Sequence, residues 1–199
     1  MSRWFLKALL CAWCLIPSLA LATPGLTVSS AAGRVGDTFV ISVAVADVPA
    51  DTGLTSWQFD LAFDPAIVGA GTVTEGPFLS SFGSTLFGTG VIDNTTGLIS
   101  LVTGSYVDLA PNPSGSGVLA TITFTALADG FSALTLENVV LGNPDLGFFS
   151  PGNSIAGRID VRESPAVPEP GAGGLLAMAA LLIAAVRRRG SAGSLPLAA

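Results

Sequence analysis

The chain has 199 residues, of which 50% are hydrophobic and 11% charged, and it carries 14 acidic and 8 basic side chains with no histidine. All 14 acids fall between Asp37 and Glu169, and from Arg34 to Glu169 only Arg34, Arg158 and Arg162 oppose them, so that stretch has a formal charge of −11. Such a surface repels phosphate backbones and argues against nucleic-acid binding; without histidine, and without cysteine or lysine beyond residue 14, it also lacks the usual nucleophile and base pairs of enzymes.

Residues 1–22 place Arg3 and Lys7 ahead of and within an apolar run that ends in Ala20-Leu21-Ala22. A basic start, a short apolar helix and small residues at Ala20 and Ala22 are the layout of a secretory signal peptide cut before Thr23. Cys11 and Cys14 have the C-x-x-C spacing of redox and metal sites, yet both lie inside the signal and leave with it. The exported chain therefore has no disulfide, and its stability rests on core burial. Residues 23–162 suffice for one domain with a sizeable core.

Alternation dominates that domain. In DTFVISVAVAD, Phe39, Ile41, Val43 and Val45 share one face, as a half-buried strand requires. SWQFDLAFDP repeats the pattern: Trp57, Phe59, Leu61 and Phe63 point one way, Gln58 and Asp60 the other, and Asp64-Pro65 ends the strand because proline cannot donate to a ladder. Further strands are predicted at 26–29, 67–74, 97–105, 117–127, 133–141 and 155–161. In GVLATITFTAL, Val118, Ala120, Ile122 and Phe124 are expected on one face, with threonines between them. Residues 75–90 read as an irregular loop that carries Phe78, Phe82 and Phe87 to the edge of the core. Turn residues separate the strands, at DNTTG (93–97), PNPSGSG (111–117), ADG (128–130) and NPDLG (143–147). The pattern predicts an all-β, two-sheet jelly-roll sandwich.

The segments GDTFVISVAVADVP, WQFDLAFDPAIV, IDNTTGLISLV, GVLATITFTAL and LTLENVVL resemble, in order and spacing, the cohesin domain, a sandwich related to bacterial cellulose-binding modules. The resemblance runs from Leu26 to Val161. It implies a non-catalytic binding module that takes a dockerin, a small calcium-loaded helical module, on one flat sheet face. Gln58 and Asp60 are the residues that the resemblance places on that face. No D-x-[DN]-x-[DN]-G loop occurs in this chain, so it carries no dockerin of its own.

Other chemistry is sparser. Asp60 and Asp64 are four apart and on one side of a regular strand; paired carboxylates serve glycoside hydrolysis, but an outward Asp60 and a turn-capping Asp64 explain both without catalysis. No cofactor or structural metal is expected, although Asp93, Asn94, Asp108, Asn143 and Asp145 offer loop oxygens of the kind calcium takes. Asn94-Thr95-Thr96 fits a glycosylation acceptor and, equally, a turn. For an extracellular polysaccharide, Phe148 and Phe149 are the candidate stacking residues, the competing role being a loop that plugs one end of the sandwich. Trp57 reads as core.

The chain closes with a linker and Pro168-Glu169-Pro170 (163–170), an apolar run followed by Arg187, Arg188 and Arg189 (171–189), and a ten-residue tail (190–199). The 16 residues from Gly171 to Val186 reach about 24 Å as a helix, short of a hydrocarbon core of about 30 Å, and the arginines supply a cytoplasmic stop. Motif, short helix and arginines in this order resemble the PEP-CTERM sorting signal. It implies transient inner-membrane insertion, recognition by an exosortase, and release to the cell surface or exopolysaccharide matrix of a Gram-negative bacterium.

Overall fold

The computed structural model describes residues 23–143, 147–163 and 178–183. The chain divides into two units after Glu163. Of the second, residues 178–183 are helical with exposed side chains, and no helix among the described residues is long and apolar enough to cross a membrane. The predicted signal with Ala20 and Ala22, the Pro168–Pro170 motif and Arg187–Arg189 lie outside the described residues.

Period-two alternation drives the domain into strands. They are β1 Gly25–Val28, β2 Ala31–Arg34, β3 Thr38–Val48, β4 Ser56–Ala62, β5 Val68–Glu75, β6 Thr85–Gly88, β7 Val91–Asp93, β8 Leu98–Tyr106, β9 Gly115–Ala126, β10 Gly130–Asn143, β11 Gly147–Phe149, β12 Asn153–Ile155 and β13 Gly157–Arg162, with one helical turn, α1, at Pro77–Ser80. One sheet has the order β12-β1-β3-β9-β5; the larger runs β2-β13-β10-β4-β8-β6, with β11 added to β10 and β7 to β8. A two-sheet sandwich is thus the architecture.

The inward residues of both sheets form one core. Ile41 and Val43 of β3 and Ile122 and Phe124 of β9 meet Trp57, Phe59 and Leu61 of β4 and Ile99 and Val102 of β8, all buried. The Trp57 ring stacks on Phe59 at 5.4 Å between centroids, and Phe63 meets the edge of Phe124 at the same separation. Offset and edge-on contacts of this kind add to the area these rings bury.

Three details depart from the sequence reading. The alternation in β9 breaks at its N-terminal end, because the β3 register steps from Val43↔Ala120 to Ala44↔Val118. Leu119 is the extra residue of that bulge and is buried, whereas Val118 leaves the core. Residues 75–90 contain α1 and β6 rather than continuous loop, although Phe78 is buried and Phe82 and Phe87 pack at the core edge as expected. The strand expected at 155–161 is two, β12 and β13, one in each sheet.

Candidate functional site

The outer face of β6, β8, β4, β10 and β11 is built as cross-strand rows. Leu86, Ser105, Ser56, Gly142 and Phe148 stand opposite one another in one row. The next holds Gly88, Thr103, Gln58 and Val140. Ser56, Gln58, Thr103, Ser105, Val140 and Phe148 line an open groove of about 380 Å³. At its two rims Leu86 and Phe148 are 68% and 79% exposed. A Cβ on Gly142 would collide with the Ser56 hydroxyl and lie 3.3 Å from the Phe148 ring, so glycine leaves room there for the Ser56 side chain first and for the ring second.

The four polar side chains of this groove, Ser56, Gln58, Thr103 and Ser105, make no hydrogen bond among the described residues. On the opposite face of the sandwich the Thr72 and Thr123 hydroxyls pair at 2.9 Å and those of Thr74 and Thr121 at 2.6 Å. Those four hydroxyls satisfy each other across strands, whereas the hydroxyls of Thr38, Ser42 and Thr125 of the same face, like the groove quartet, have no protein partner among the described residues.

Asp60 corrects the sequence reading. It was expected outward beside Gln58, but it is buried, with 8% of its surface exposed. Its strand is flanked by two bulges: the β8 register steps between Phe59 and Leu61, and the β10 register between Glu137 and Val140. Each bulge contains a left-handed residue, Leu101 at φ 58° and Asn138 at φ 49°. The Leu101 N–H donates to Asp60 Oδ1 at 2.7 Å, and the Asn138 amide donates to Oδ2 at 2.6 Å. The carboxylate thus ties two strained corners to the strand between them, and leaves Leu101 57% exposed on the face.

Phe148 and Phe149 divide. Phe148 is outward in the groove, whereas Phe149 packs against the core. Tyr106 is buried, its hydroxyl donating to the Phe82 carbonyl at 3.3 Å. Burial, with the nearby Asp108 carboxylate, pushes its phenol up from the ordinary value.

Several of the loop groups considered for calcium take part in turn and capping bonds. Asp93 Oδ1 accepts from the Thr95 and Thr96 N–H groups, which hold its carboxyl below the ordinary range. Asn94 accepts from the Ala70 N–H at 2.7 Å and donates to the Ala70 carbonyl at 3.0 Å, closing part of the free edge of β5. Asp108 accepts from the Ser84 N–H, and the Asn143 amide donates to the Gly53 carbonyl at 2.8 Å. Asp145 lies outside the described residues. Asp64 Oδ1 accepts from the Ala66 N–H at 2.9 Å, the turn-capping role expected.

The groove residues Leu86, Leu101, Thr103, Ser105 and Val140 were not singled out in the sequence. The signal available was the alternation in LISLVTGSY, but the bulge at Leu101 shifts its phase halfway along.

Two sheets over one core, with an unspent polar groove between apolar rims on one flat face, define a β-sandwich recognition module. The cohesin-domain family model matches residues 24–146, more than half of the chain. The chain belongs to the cohesin family. Among solved structures it is similar to the third ScaC cohesin of Acetivibrio cellulolyticus in complex with the ScaB dockerin, at 17% identity and a TM-score of 0.57, covering 69% of this chain and 98% of that one. The OlpC cohesin of Clostridium thermocellum, in a type I complex with a dockerin, gives 17%, 0.58, 72% and 96%. A non-cellulosomal cohesin from the archaeon Archaeoglobus fulgidus gives 16%, 0.54, 71% and 92%. At these identities the likeness is one of fold. No curated protein matches the chain significantly.

Proposed function

We propose that this chain is an exported, non-catalytic binding module that holds a dockerin-like helical protein on the outer face of its larger sheet. The observation that carries the reading is the quartet Ser56, Gln58, Thr103 and Ser105, free of protein hydrogen bonds among the described residues, between the exposed Leu86 and Phe148. Those rims stand four strand steps apart, about 19 Å. A helix about 10–12 Å across lies between them with room for its side chains. Gln58 then contacts the partner directly, and Asp60 acts through the bulges it holds. The ScaC and OlpC cohesins are themselves seen with dockerins, which supports a helical partner here.

Delivery follows from the termini. The signal through Ala22 exports the chain, Pro168-Glu169-Pro170 with Arg187–Arg189 directs it to an exosortase, and the product reaches the cell surface or matrix of a Gram-negative host. Intact mass and fractionation in hosts with and without the exosortase test this: loss of the segment after Val167 only with the enzyme supports it, and an uncut chain in both refutes it. Docking is tested by retention of calcium-loaded dockerins from the same host on the immobilised chain. Retention lost on Gln58→Ala and Leu86→Asp supports the face; retention unaffected by both overturns it.

A second reading is favoured by one observation, the Phe148 ring exposed beside the same hydroxyls and amide. Aromatic face plus hydrogen-bonding groups is the equipment of a polysaccharide subsite. Phe148→Ala abolishing retention on exopolysaccharide, with dockerin retention unchanged, would select it over the helical partner.

A further inference from the structure

At the far end of β4 the same outer face has a second depression, of about 520 Å³, lined by Ala62, Asp64, Pro65, Phe131, Ala133 and Thr135. It is shallow and open, with only the methyl groups of Ala62 and Ala133 between the rings of Pro65 and Phe131. Phe131 is 67% exposed, an apolar surface that no described residue covers.

The charge at this depression is one-sided. Asp64 stands on its rim with Oδ1 engaged by the Ala66 N–H and Oδ2 without a partner among the described residues. The neighbouring cation, Arg158, stands opposite Ala133 on β13 and is turned toward Asp160, its Nε 2.9 Å from Oδ2 in an exposed pair. The chain thus supplies an apolar slot, an exposed aromatic ring and a carboxylate oxygen that has no protein partner among the described residues.

We propose that this depression is a second docking subsite, which receives an arginine side chain of the partner protein. The aliphatic stem lies over Pro65 and Ala133, where long cationic side chains bury their methylenes. The guanidinium stacks on the Phe131 ring and donates to Asp64 Oδ2, combining a cation–π contact with a charge-assisted bond. Arginine suits the slot better than lysine because its planar head stacks and is more weakly hydrated. An anionic or phosphorylated segment is disfavoured by Asp64 and by the −11 balance of the stretch around it. The inference rests on the reading of this face as the docking face, and adds a requirement on the partner: a basic residue displaced along β4 from the residues that meet Gln58.

The test uses the isotope-labelled full chain in zwitterionic detergent, titrated with the peptide acetyl-Leu-Arg-Leu-amide and with its citrulline counterpart, which has the same shape without the charge. The expected result is saturable amide shifts at Ala62, Phe131, Ala133 and Thr135 for the arginine peptide, with at least tenfold weaker binding of citrulline. Asp64→Asn keeps an oxygen for the Ala66 N–H, so the turn survives, and should weaken the arginine peptide about tenfold. Phe131→Leu keeps the apolar wall and should weaken it severalfold. Equal binding of the two peptides, indifference to Asp64→Asn, or shifts confined to other acids would overturn the subsite. Loss of dockerin retention with these peptide shifts intact would instead refute the occupant named for the Gln58 groove.

Discussion

Removing the Asp60 carboxylate is the sharpest test of how the bulged outer face of the larger sheet is held. Asp60→Ala deletes the acceptors of two charge-assisted bonds, from the Leu101 N–H at 2.7 Å and the Asn138 amide at 2.6 Å. Bonds to charged groups contribute about 1.5–3 kcal/mol each. Asn138 is exposed and can turn to water, so most of its share is recovered, whereas the Leu101 N–H loses its only acceptor at a site where Asp60 is 8% exposed. The left-handed backbone at Leu101 and Asn138 strains the parent as well, so it adds nothing to the loss; the unbonded Leu101 N–H carries it. The expected loss is about 2–4 kcal/mol. Asp60→Asn keeps one oxygen for Leu101, and a flipped Asn138 amide can accept from the new NH₂, so that variant should lose only about 1 kcal/mol. Trp57 is the sole tryptophan after residue 22 and is buried, so urea unfolding of residues 23–163 followed by its fluorescence reads these differences directly. If Asp60→Ala costs under about 0.5 kcal/mol, or Asp60→Asn costs as much as alanine, the clamp is not what holds the bulges.

Phe59→Ala, which empties the middle of the core beside Trp57, should cost about 3–5 kcal/mol in the same assay. Asn94→Ala removes both bonds to Ala70 and should cost about 1–2 kcal/mol. It also frees the β5 edge, so sedimentation should reveal concentration-dependent association absent from the parent. Because the carboxyl of Asp93 is held below its ordinary 3.8 in the folded chain, its contribution is present above that pH and is lost as pH falls through the lowered value. Asp93→Asn should flatten the acid limb of a stability–pH curve without altering it near neutrality. For Tyr106 the sign reverses: a raised phenol makes stability fall as pH climbs past 10, and Tyr106→Phe should remove that alkaline slope.

The sandwich was legible because alternation is a local signal, and β3 and β4 carry it without interruption: Phe39 to Val45 and Trp57 to Phe63 all fall on the buried side as read. Where the reading failed, a bulge was the cause. Leu119 and Val118 exchange roles at one bulge, and Asp60, in phase within β4, is buried because two others close over it through Leu101 and Asn138. A bulge is set by what the neighbouring strand needs, and nothing in the strand's own residues announces it. The groove was half legible for the same reason. Gln58 and Phe148 could be named separately, but only strand pairing brings β11 beside β10 and so places them in one groove.

The two outer faces also show how a chain with so few charges can select a side for recognition. Charge does not mark the groove, since Ser56, Gln58, Thr103 and Ser105 are all neutral. Threonines at 72, 74, 121 and 123 bond across strands and have little left for a partner. Burying the groove quartet without new partners costs free energy for each polar group left unpaired, so a surface that merely fits the apolar rims is rejected, and one that also supplies matching donors and acceptors is retained. Asp60 belongs to this arrangement as its frame. By holding Leu101 outward through a strained turn, it adds an apolar contact beside the quartet that a regular β8 strand would not present. A variant with a relaxed corner, such as Leu101→Gly, should therefore gain about 0.5–1 kcal/mol in unfolding and yet bind a helical partner more weakly.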